Sequence, residues 1–181
     1  MKKYRVAVVG AGAVGEEMIR LLYARDFPMA EAPKVLARSQ RIQEIAGHEI
    51  QVEETTADAF AGLDFAFFAG TEGSKGASQV YGWDAVARGC VVIDNGDDFR
   101  MDPRVKLVVP EINAHELDDH QGFIANPNCS TIIALMAVGP LHQAAGVDRM
   151  VVCTYQAVSG TGAAAITELE EQVRAWAAGR T

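Results

Sequence analysis

Cys129 is the residue of this sequence whose position best suits a nucleophile. It lies in the polar stretch NPNCST, residues 126–131, directly before the apolar run IIALMAV, where a helix is expected to begin. The exposed N–H groups of a helix N-terminus stabilise a thiolate and can bind the oxyanion formed when it attacks a carbonyl. Cys90 and Cys153 lie in apolar, strand-like stretches and fit small buried residues. The pattern favours acyl-thioester chemistry at Cys129.

A second candidate is the glycine stretch GAGAVG that begins at Gly10 and has the form G-x-G-x-x-G. An apolar, β-branched run precedes it and helical spacing follows, which is the context of a dinucleotide site. Gly10 would permit the tight turn, Gly12 the approach of a pyrophosphate and Gly15 the close packing of helix on strand. Ala13 and Val14 would offer N–H groups to the phosphates. A glycine-rich turn that binds nothing is the less favoured alternative.

The end of the second predicted strand indicates which dinucleotide is bound. An NAD site usually has Asp or Glu there for the ribose 2′-hydroxyl. This strand instead ends in Leu36-Ala37-Arg38-Ser39. A guanidinium beside a hydroxyl suits a 2′-phosphate, so we favour NADP as the cofactor. The alternative is that Arg38 is a solvated surface residue.

The elements that must position these residues alternate between strands and helices. We predict strands at residues 5–9, 34–37, 48–53 (an edge strand), 65–69, 91–94, 107–109, 123–125 and 150–156, and helices at 13–25, 76–88, 131–143 and 163–178. This alternation predicts an α/β fold: a Rossmann-like, doubly wound and mostly parallel sheet, followed by the start of a second α+β catalytic domain. We place the cofactor domain at residues 1–128 and the beginning of the catalytic and dimerisation domain at 129–181.

Composition narrows the class of protein. The chain has 181 residues, 49% of them hydrophobic, and a formal net charge of −8. An acidic chain without basic runs argues against nucleic-acid binding. We expect no signal peptide, because the apolar run after Lys2 and Lys3 is short and contains the glycine motif, and no stretch approaches the roughly 18 apolar residues of a membrane span. Three cysteines, an odd number, predict a reduced, cytoplasmic protein. We predict no bound metal, because the cysteines lack metal-like spacing and a site at His115 and His120 would lack a third ligand.

Four stretches together resemble the aspartate-semialdehyde dehydrogenases. They are NPNCSTI at 126–132, VVIDNGDDFRMDP at 91–103, LVVPEIN at 107–113 and CTYQAVSGTG at 153–162. Their order and spacing agree over essentially the whole chain. The resemblance implies NADPH-dependent reductive dephosphorylation of L-aspartyl 4-phosphate to L-aspartate 4-semialdehyde in lysine, threonine and methionine biosynthesis. It also implies a homodimer or homotetramer at full length.

The family's substrate residues carry over onto matching positions. Cys129 matches the nucleophile that forms the thioester, and Gln156 matches a glutamine that positions the substrate. Arg100 matches the arginine that holds the phosphate, and Asn128 matches an asparagine of the same pocket. Without the resemblance, an ion pair with a neighbouring Asp would be preferred for Arg100.

The family's cofactor residues also have counterparts here. Ser159 and Gly160 match a loop that contacts the cofactor, and Arg38 with Ser39 matches the 2′-phosphate site. The glycine turn departs from the family's G-x-T-G-x-V-G, because it is one residue shorter and lacks the threonine. Asp97 and Asp98 add charges that should oppose phosphate binding unless they face solvent.

Family members are longer than this chain. The resemblance therefore implies that a substrate-binding lysine, a second arginine and the acid–base histidine lie outside it. We expect these 181 residues alone to bind NADP weakly and to be almost inactive. Two alternatives stay open, an N-acetyl-γ-glutamyl-phosphate reductase-like enzyme and a truncated, non-catalytic NADP-binding module. Asn128 and Ser130 beside Cys129 favour the aspartyl enzyme over the glutamyl one.

Overall fold

The computed structural model describes residues 2–70 and 76–180 and contains one large, mostly parallel sheet. Its strands are β1 (Val6–Val9), β2 (Lys34–Ala37), β3 (Arg41–Ile45), β4 (His48–Glu54), β5 (Phe65–Phe68), β6 (Val91–Asp94), β7 (Lys106–Leu107) and β8 (Phe123–Ala125). The helices are α1 (Ala13–Ala24), α2 (Ala77–Ala87), α3 (Pro110–Asn113), α4 (Cys129–Ala145) and α5 (Ala163–Ala177). Short 3-10 turns lie at Ala57–Phe60, Ala114–Leu117 and Val158–Thr161. No helix in the described ranges is long and apolar enough to cross a membrane.

The strand order is β3-β4-β2-β1-β5-β6-β8-β7. The pair β3–β4 is antiparallel, and the other neighbouring strands pair in parallel. The chain therefore winds outward from β1 in both directions, as in a Rossmann fold, which confirms the predicted fold class. In such sheets ligands bind beyond the carboxyl ends of the strands at the point where the winding reverses. Here that point lies at the ends of β1 and β5.

Alternation along β1 supplies both faces of the core. Val6 and Val8 pack with Ile19 of α1 on one face, whereas Ala7 and Val9 belong to the cluster on the other face. That second cluster contains Ala85 of α2 together with buried aromatic rings of the sheet. Successive strand residues point to opposite faces, so a continuous apolar strand is buried on both. The helices hold β1 rigid where the glycine stretch leaves it.

The outer edge of the sheet differs from our prediction. The segment at 48–54 is not an edge strand, because β3 pairs along its outer side in a hairpin that the sequence did not reveal. The hairpin turns through Ala46 and Gly47, which have φ values of 54° and 78°. Two residues with positive φ form the turn that suits the twist of paired strands, and Asn-Gly is its usual signature. Alanine at the first position conceals it.

The chain divides into two compact units, residues 1–146 and 147–181. The second unit contains the turn Val158–Thr161 and α5. The strand predicted at 150–156 is wrong, since those residues have no regular structure there. A strand needs a hydrogen-bonded partner, and the described residues provide none for this segment. The domain boundary after residue 128 stays a prediction.

Candidate cofactor and nucleophile site

The glycine stretch forms a tight turn between β1 and α1. Gly10 has φ of 111°, and its N–H donates to the Leu36 carbonyl at 2.8 Å, which ties the turn to β2. A Cβ added at Gly15 would lie 1.8 Å from the Gly10 carbonyl oxygen. Such a distance excludes any side chain at Gly15 while the helix packs this closely on the turn. Gly10 and Gly15 thus have the predicted geometry.

The start of α1 presents unblocked backbone to solvent. Gly12 is the N-cap residue, and no side chain caps this end of the helix. A Cβ added at Gly12 would meet no atom within 4 Å, and Gly12, Ala13 and Val14 are all exposed. The first N–H groups of the helix can therefore donate hydrogen bonds to an anion, and the space around Gly12 is large enough for one. This cradle fits the pyrophosphate of a dinucleotide.

Arg38 and Ser39 follow β2 directly and are exposed. Because β2 neighbours β1, both lie at the same edge of the sheet as the glycine turn. A guanidinium and a hydroxyl at this edge fit a 2′-phosphate. Their contact with a cofactor stays a prediction.

Two polar residues of β3 join this region and were missed by sequence reasoning. Gln43 Nε2 donates to the Ala11 carbonyl at 2.9 Å and to Glu16 Oε1 at 2.8 Å. Arg41 donates from Nε to Gln43 Oε1 at 3.0 Å and from Nη1 to the Ser39 carbonyl at 3.2 Å. The β3 sequence RIQEI does not alternate between apolar and polar residues, and no spacing pointed to these partners.

Cys129 is the first residue of α4, as its sequence context predicted. Asn128 is the N-cap, and its Oδ1 accepts a 3.0 Å hydrogen bond from the Ser130 N–H. The Cys129 thiol lies 3.8 Å from the same oxygen and is exposed. The helix begins two residues earlier than the 131–143 prediction, because the cap precedes the thiol. The exposed thiol therefore lies at the capped start of a helix.

Arg100 joins the ends of two strands. Its Nε donates to the Asn126 carbonyl at 3.0 Å, and its Nη2 donates to the Asn95 carbonyl at 3.1 Å. The two asparagines are also bonded to each other, from Asn126 Nδ2 to Asn95 Oδ1 at 2.7 Å. Asn95 follows β6, and Asn126 follows β8, three residues before Cys129. Arg100 is therefore bonded to the segment that leads to Cys129, the candidate nucleophile.

The acids around Arg100 have other environments. The alternative of an ion pair with Asp97, Asp98 or Asp102 is not supported, because Arg100 donates to two backbone carbonyls and Asp102 pairs with Arg104 at 2.6 Å. Asp97 is exposed, and Asp98 accepts a 3.5 Å hydrogen bond from the Ser78 hydroxyl. The charge added at 97 thus faces solvent.

Asp94, the last residue of β6, is fully buried. Its Oδ1 accepts a 2.9 Å hydrogen bond from the Gly96 N–H, and none of the described residues forms a hydrogen bond with its Oδ2. Burial raises the pKa of the Asp94 carboxyl above its ordinary value, and the Gly96 bond opposes that rise. The turn after β6 is therefore built on a carboxyl that is costly to ionise.

The other two thiols differ from each other. Cys90 is buried as expected, and burial raises the pKa of its thiol. The expectation that Cys153 is a buried strand residue is wrong, because it is exposed in a segment without a strand. Comparing Cys129 with Cys153 therefore compares two accessible thiols.

The remaining predicted residues lie in the second unit. Gln156 accepts a 3.4 Å hydrogen bond from the Thr154 hydroxyl at its Oε1 and is exposed. Ser159 and Gly160 lie in the 3-10 turn Val158–Thr161 and are also exposed. The roles of these three residues stay predictions.

Two family models match the chain. The NAD-binding domain of semialdehyde dehydrogenases matches residues 5–120, and their dimerisation domain matches residues 138–181. The chain belongs to the semialdehyde dehydrogenase family. This family membership agrees with the resemblance carried by NPNCSTI and the other motifs.

Curated relatives of this semialdehyde dehydrogenase chain are named aspartate-semialdehyde dehydrogenase. The Synechocystis protein is 43% identical over 94% of this chain and 50% of its own length, and the Aquifex aeolicus protein is 45% identical over 98% and 53%. Aspartate semialdehyde dehydrogenase II from Vibrio cholerae has a solved structure with a TM-score of 0.87, 38% identity and coverage of 99% of this chain and 54% of that one. The chain spans about half the length of the relatives it matches.

Proposed function

We propose that this chain carries the cofactor-binding and nucleophile-bearing part of an aspartate-semialdehyde dehydrogenase. The reaction is the NADPH-dependent conversion of L-aspartyl 4-phosphate to L-aspartate 4-semialdehyde and phosphate. The observation that carries the proposal is the exposed Cys129 thiol at the capped start of α4, close in sequence to the Asn126 carbonyl that binds Arg100. The names of the relatives support the substrate.

Cys129 acts as the nucleophile toward the acyl phosphate. Its thiolate attacks the carbonyl carbon, and the C–O bond to phosphate then breaks. Phosphate leaves, and a thioester between Cys129 and the aspartyl group remains. The N–H groups at the start of α4 would bind the oxyanion of the tetrahedral intermediate. Asn128 holds this helix start in place through its bond to the Ser130 N–H.

Arg100 has the chemistry to bind the phosphate. Its two carbonyl bonds use two of the five N–H donors that a guanidinium carries, and the others can bind phosphate oxygens. Those carbonyls also fix its orientation, which lowers the entropy cost of binding. Gln156 is proposed to position the substrate, since an amide can donate and accept without titrating.

The cofactor is proposed to be NADPH. When bound, it supplies the hydride that reduces the thioester to the aldehyde. The turn from Gly10 to Gly15 would hold its pyrophosphate, and Arg38 with Ser39 would hold its 2′-phosphate. By the family resemblance, Ser159 and Gly160 are proposed as further cofactor residues.

The match to a dimerisation domain supports a homo-oligomeric protein, a homodimer or homotetramer. Within that match, α5 exposes an apolar stripe at helical spacing, formed by Ile166, Leu169, Val173 and Trp176. Exposed apolar stripes of this kind are typical of protein interfaces. A nucleophilic thiol must stay reduced, which supports a cytoplasmic location.

Alkylation of the chain tests the nucleophile. Iodoacetamide labelling, followed by mass spectrometry at each thiol, measures the rates at neutral pH. We expect Cys129 to be labelled faster than Cys153 and faster than the amino acid cysteine in solution, because only Cys129 has helix N–H groups beside it. A Cys153→Ser chain is the matched control and should keep the Cys129 rate. If Cys129 is labelled no faster than cysteine in solution, the assignment is refuted.

A further inference from the structure

We propose that Gln43 is a positioning residue for the dinucleotide site. From strand β3 it holds the glycine turn and the first turn of α1 in the conformation that receives the pyrophosphate. The inference rests on the proposed cofactor site and assigns its support to a strand outside the glycine motif. Gln43 is partly buried, so its hydrogen bonds are shielded from water.

The amide of Gln43 can satisfy its neighbours in one orientation. Its two N–H groups point to two acceptors, the Ala11 carbonyl at 2.9 Å and the Glu16 carboxylate at 2.8 Å. Its oxygen accepts from Arg41 Nε at 3.0 Å. A flipped amide would oppose oxygen to oxygen on one side and N–H to N–H on the other. The bonds therefore fix the amide, and the amide fixes the groups it contacts.

The bond to Ala11 determines how the turn presents its backbone. The Ala11 carbonyl and the Gly12 N–H belong to one planar trans peptide, so they point in opposite directions. Holding the carbonyl toward Gln43 therefore directs the Gly12 N–H away from Gln43. Gly12 is also the residue with open space around it. The glycine turn of this chain has six residues, one fewer than the family's usual turn, and its Ala11 carbonyl is held from outside the turn by Gln43.

The bond to Glu16 concerns charge. Glu16 is the acid in the first turn of α1, where a pyrophosphate would bind, and two anions in the same place repel each other. Gln43 binds one oxygen of this carboxylate and holds it toward β3. Without the amide, the carboxylate could swing toward the helix start.

Arg41 extends the support to the turn after β2. Its guanidinium donates to the Ser39 carbonyl at 3.2 Å as well as to Gln43. One edge strand thus contacts both the glycine turn and the segment that carries Arg38 and Ser39. Arg41 reaches the Ser39 carbonyl through a bond of its own, so the loss of Gln43 should act on the glycine turn. The pyrophosphate proposed to bind there is common to NADP⁺ and NAD⁺, and the binding of both should weaken equally.

Calorimetric titration of the chain with NADP⁺ and with NAD⁺ tests the proposal. We expect Gln43→Leu to raise both Kd values about tenfold, the effect of losing a hydrogen bond to a charged group, with their ratio unchanged. Hydrogen exchange of residues 10–16 without cofactor should become faster. The matched control is Gln51→Leu, at an exposed position of the adjacent strand β4, which should change neither reading.

A charge swap keeps the test decisive if Gln43→Leu unfolds the chain. Gln43→Glu alone places two carboxylates against each other and should weaken binding. The double variant Gln43→Glu/Glu16→Gln restores the bond between residues 43 and 16 with donor and acceptor exchanged, but not the bond to the Ala11 carbonyl, and should regain part of the affinity that Gln43→Glu loses. Unchanged affinity and exchange in the Gln43 variants would overturn the inference alone. A wild-type chain that binds neither dinucleotide would overturn the proposed cofactor site and the inference with it.

Discussion

Two alanine substitutions three residues apart should have opposite effects on this chain. At Gly15, an added Cβ would lie 1.8 Å from the Gly10 carbonyl oxygen, where real Cβ contacts stay beyond 3.0 Å. At Gly12, an added Cβ would meet nothing within 4 Å, and the φ of −92° is open to any residue. Gly15→Ala should therefore destabilise the fold, whereas Gly12→Ala should leave the fold intact and weaken the cofactor site.

The magnitudes follow from competing terms. Alanine inside a helix gains about 1 kcal/mol over glycine, whereas overpacking costs about 1–3 kcal/mol or more. The atom in the way of Gly15→Ala is backbone and cannot rotate aside, so the clash wins and unfolding should become easier by about 2 kcal/mol or more. Gly12→Ala loses an N-cap preference of at most about 1 kcal/mol. Its methyl group fills the space that a pyrophosphate needs, so NADP⁺ should bind at least about tenfold more weakly.

Urea unfolding and NADP⁺ titration of both variants separate the two effects. We expect a lower urea midpoint for Gly15→Ala and a near wild-type midpoint with weaker binding for Gly12→Ala. A wild-type midpoint in Gly15→Ala would show that α1 does not pack on the Gly10 carbonyl. Wild-type NADP⁺ affinity in Gly12→Ala would show that no phosphate approaches this residue.

Two further substitutions test single residues of the nucleophile side. Asp94→Asn keeps the oxygen that accepts from Gly96 and removes a carboxyl whose pKa is raised by burial. The ionised carboxylate lowers the stability of the fold at pH values above the pKa of the folded state, and this loss vanishes as the pH falls below the pKa of the unfolded state. The substitution should abolish this loss of stability. Urea unfolding should find the variant more stable at pH 7 and the wild type gaining on it toward pH 4; a variant that loses stability at pH 7 contradicts this. Asn128→Ala removes the cap of α4 and should lower the free energy of unfolding by about 1 kcal/mol in the same assay. Asn128→Ser can still cap the helix and should keep most of the wild-type stability. Equal stabilities of the alanine and serine variants would refute the capping role.

The sequence was informative where chemistry is local. GAGAVG and NPNCST each lie within one turn of chain, and their positions at helix starts follow from composition and spacing. The residues that hold these turns could not be found in this way. Gln43 and Ala11 are 32 positions apart, and Arg100 and Asn126 are 26 apart. Such partners meet only because the sheet brings distant strand ends to one edge, and a hairpin with alanine in its turn concealed β3 altogether.

The strand order also determines how the two halves of the site relate within the first unit. The glycine turn follows β1, and the segment that leads to Cys129 follows β8. The ends of β5 and β6 lie between the two. At about 4.8 Å per strand, the ends of β1 and β8 are separated by roughly 14 Å. A ligand that contacts both the start of α1 and Cys129 must therefore extend across the turn after β6. That turn contains the Gly96 N–H bonded to buried Asp94 and the Asn95 carbonyl bonded to Arg100, so its shape should affect both the proposed cofactor site and the proposed phosphate-binding residue Arg100.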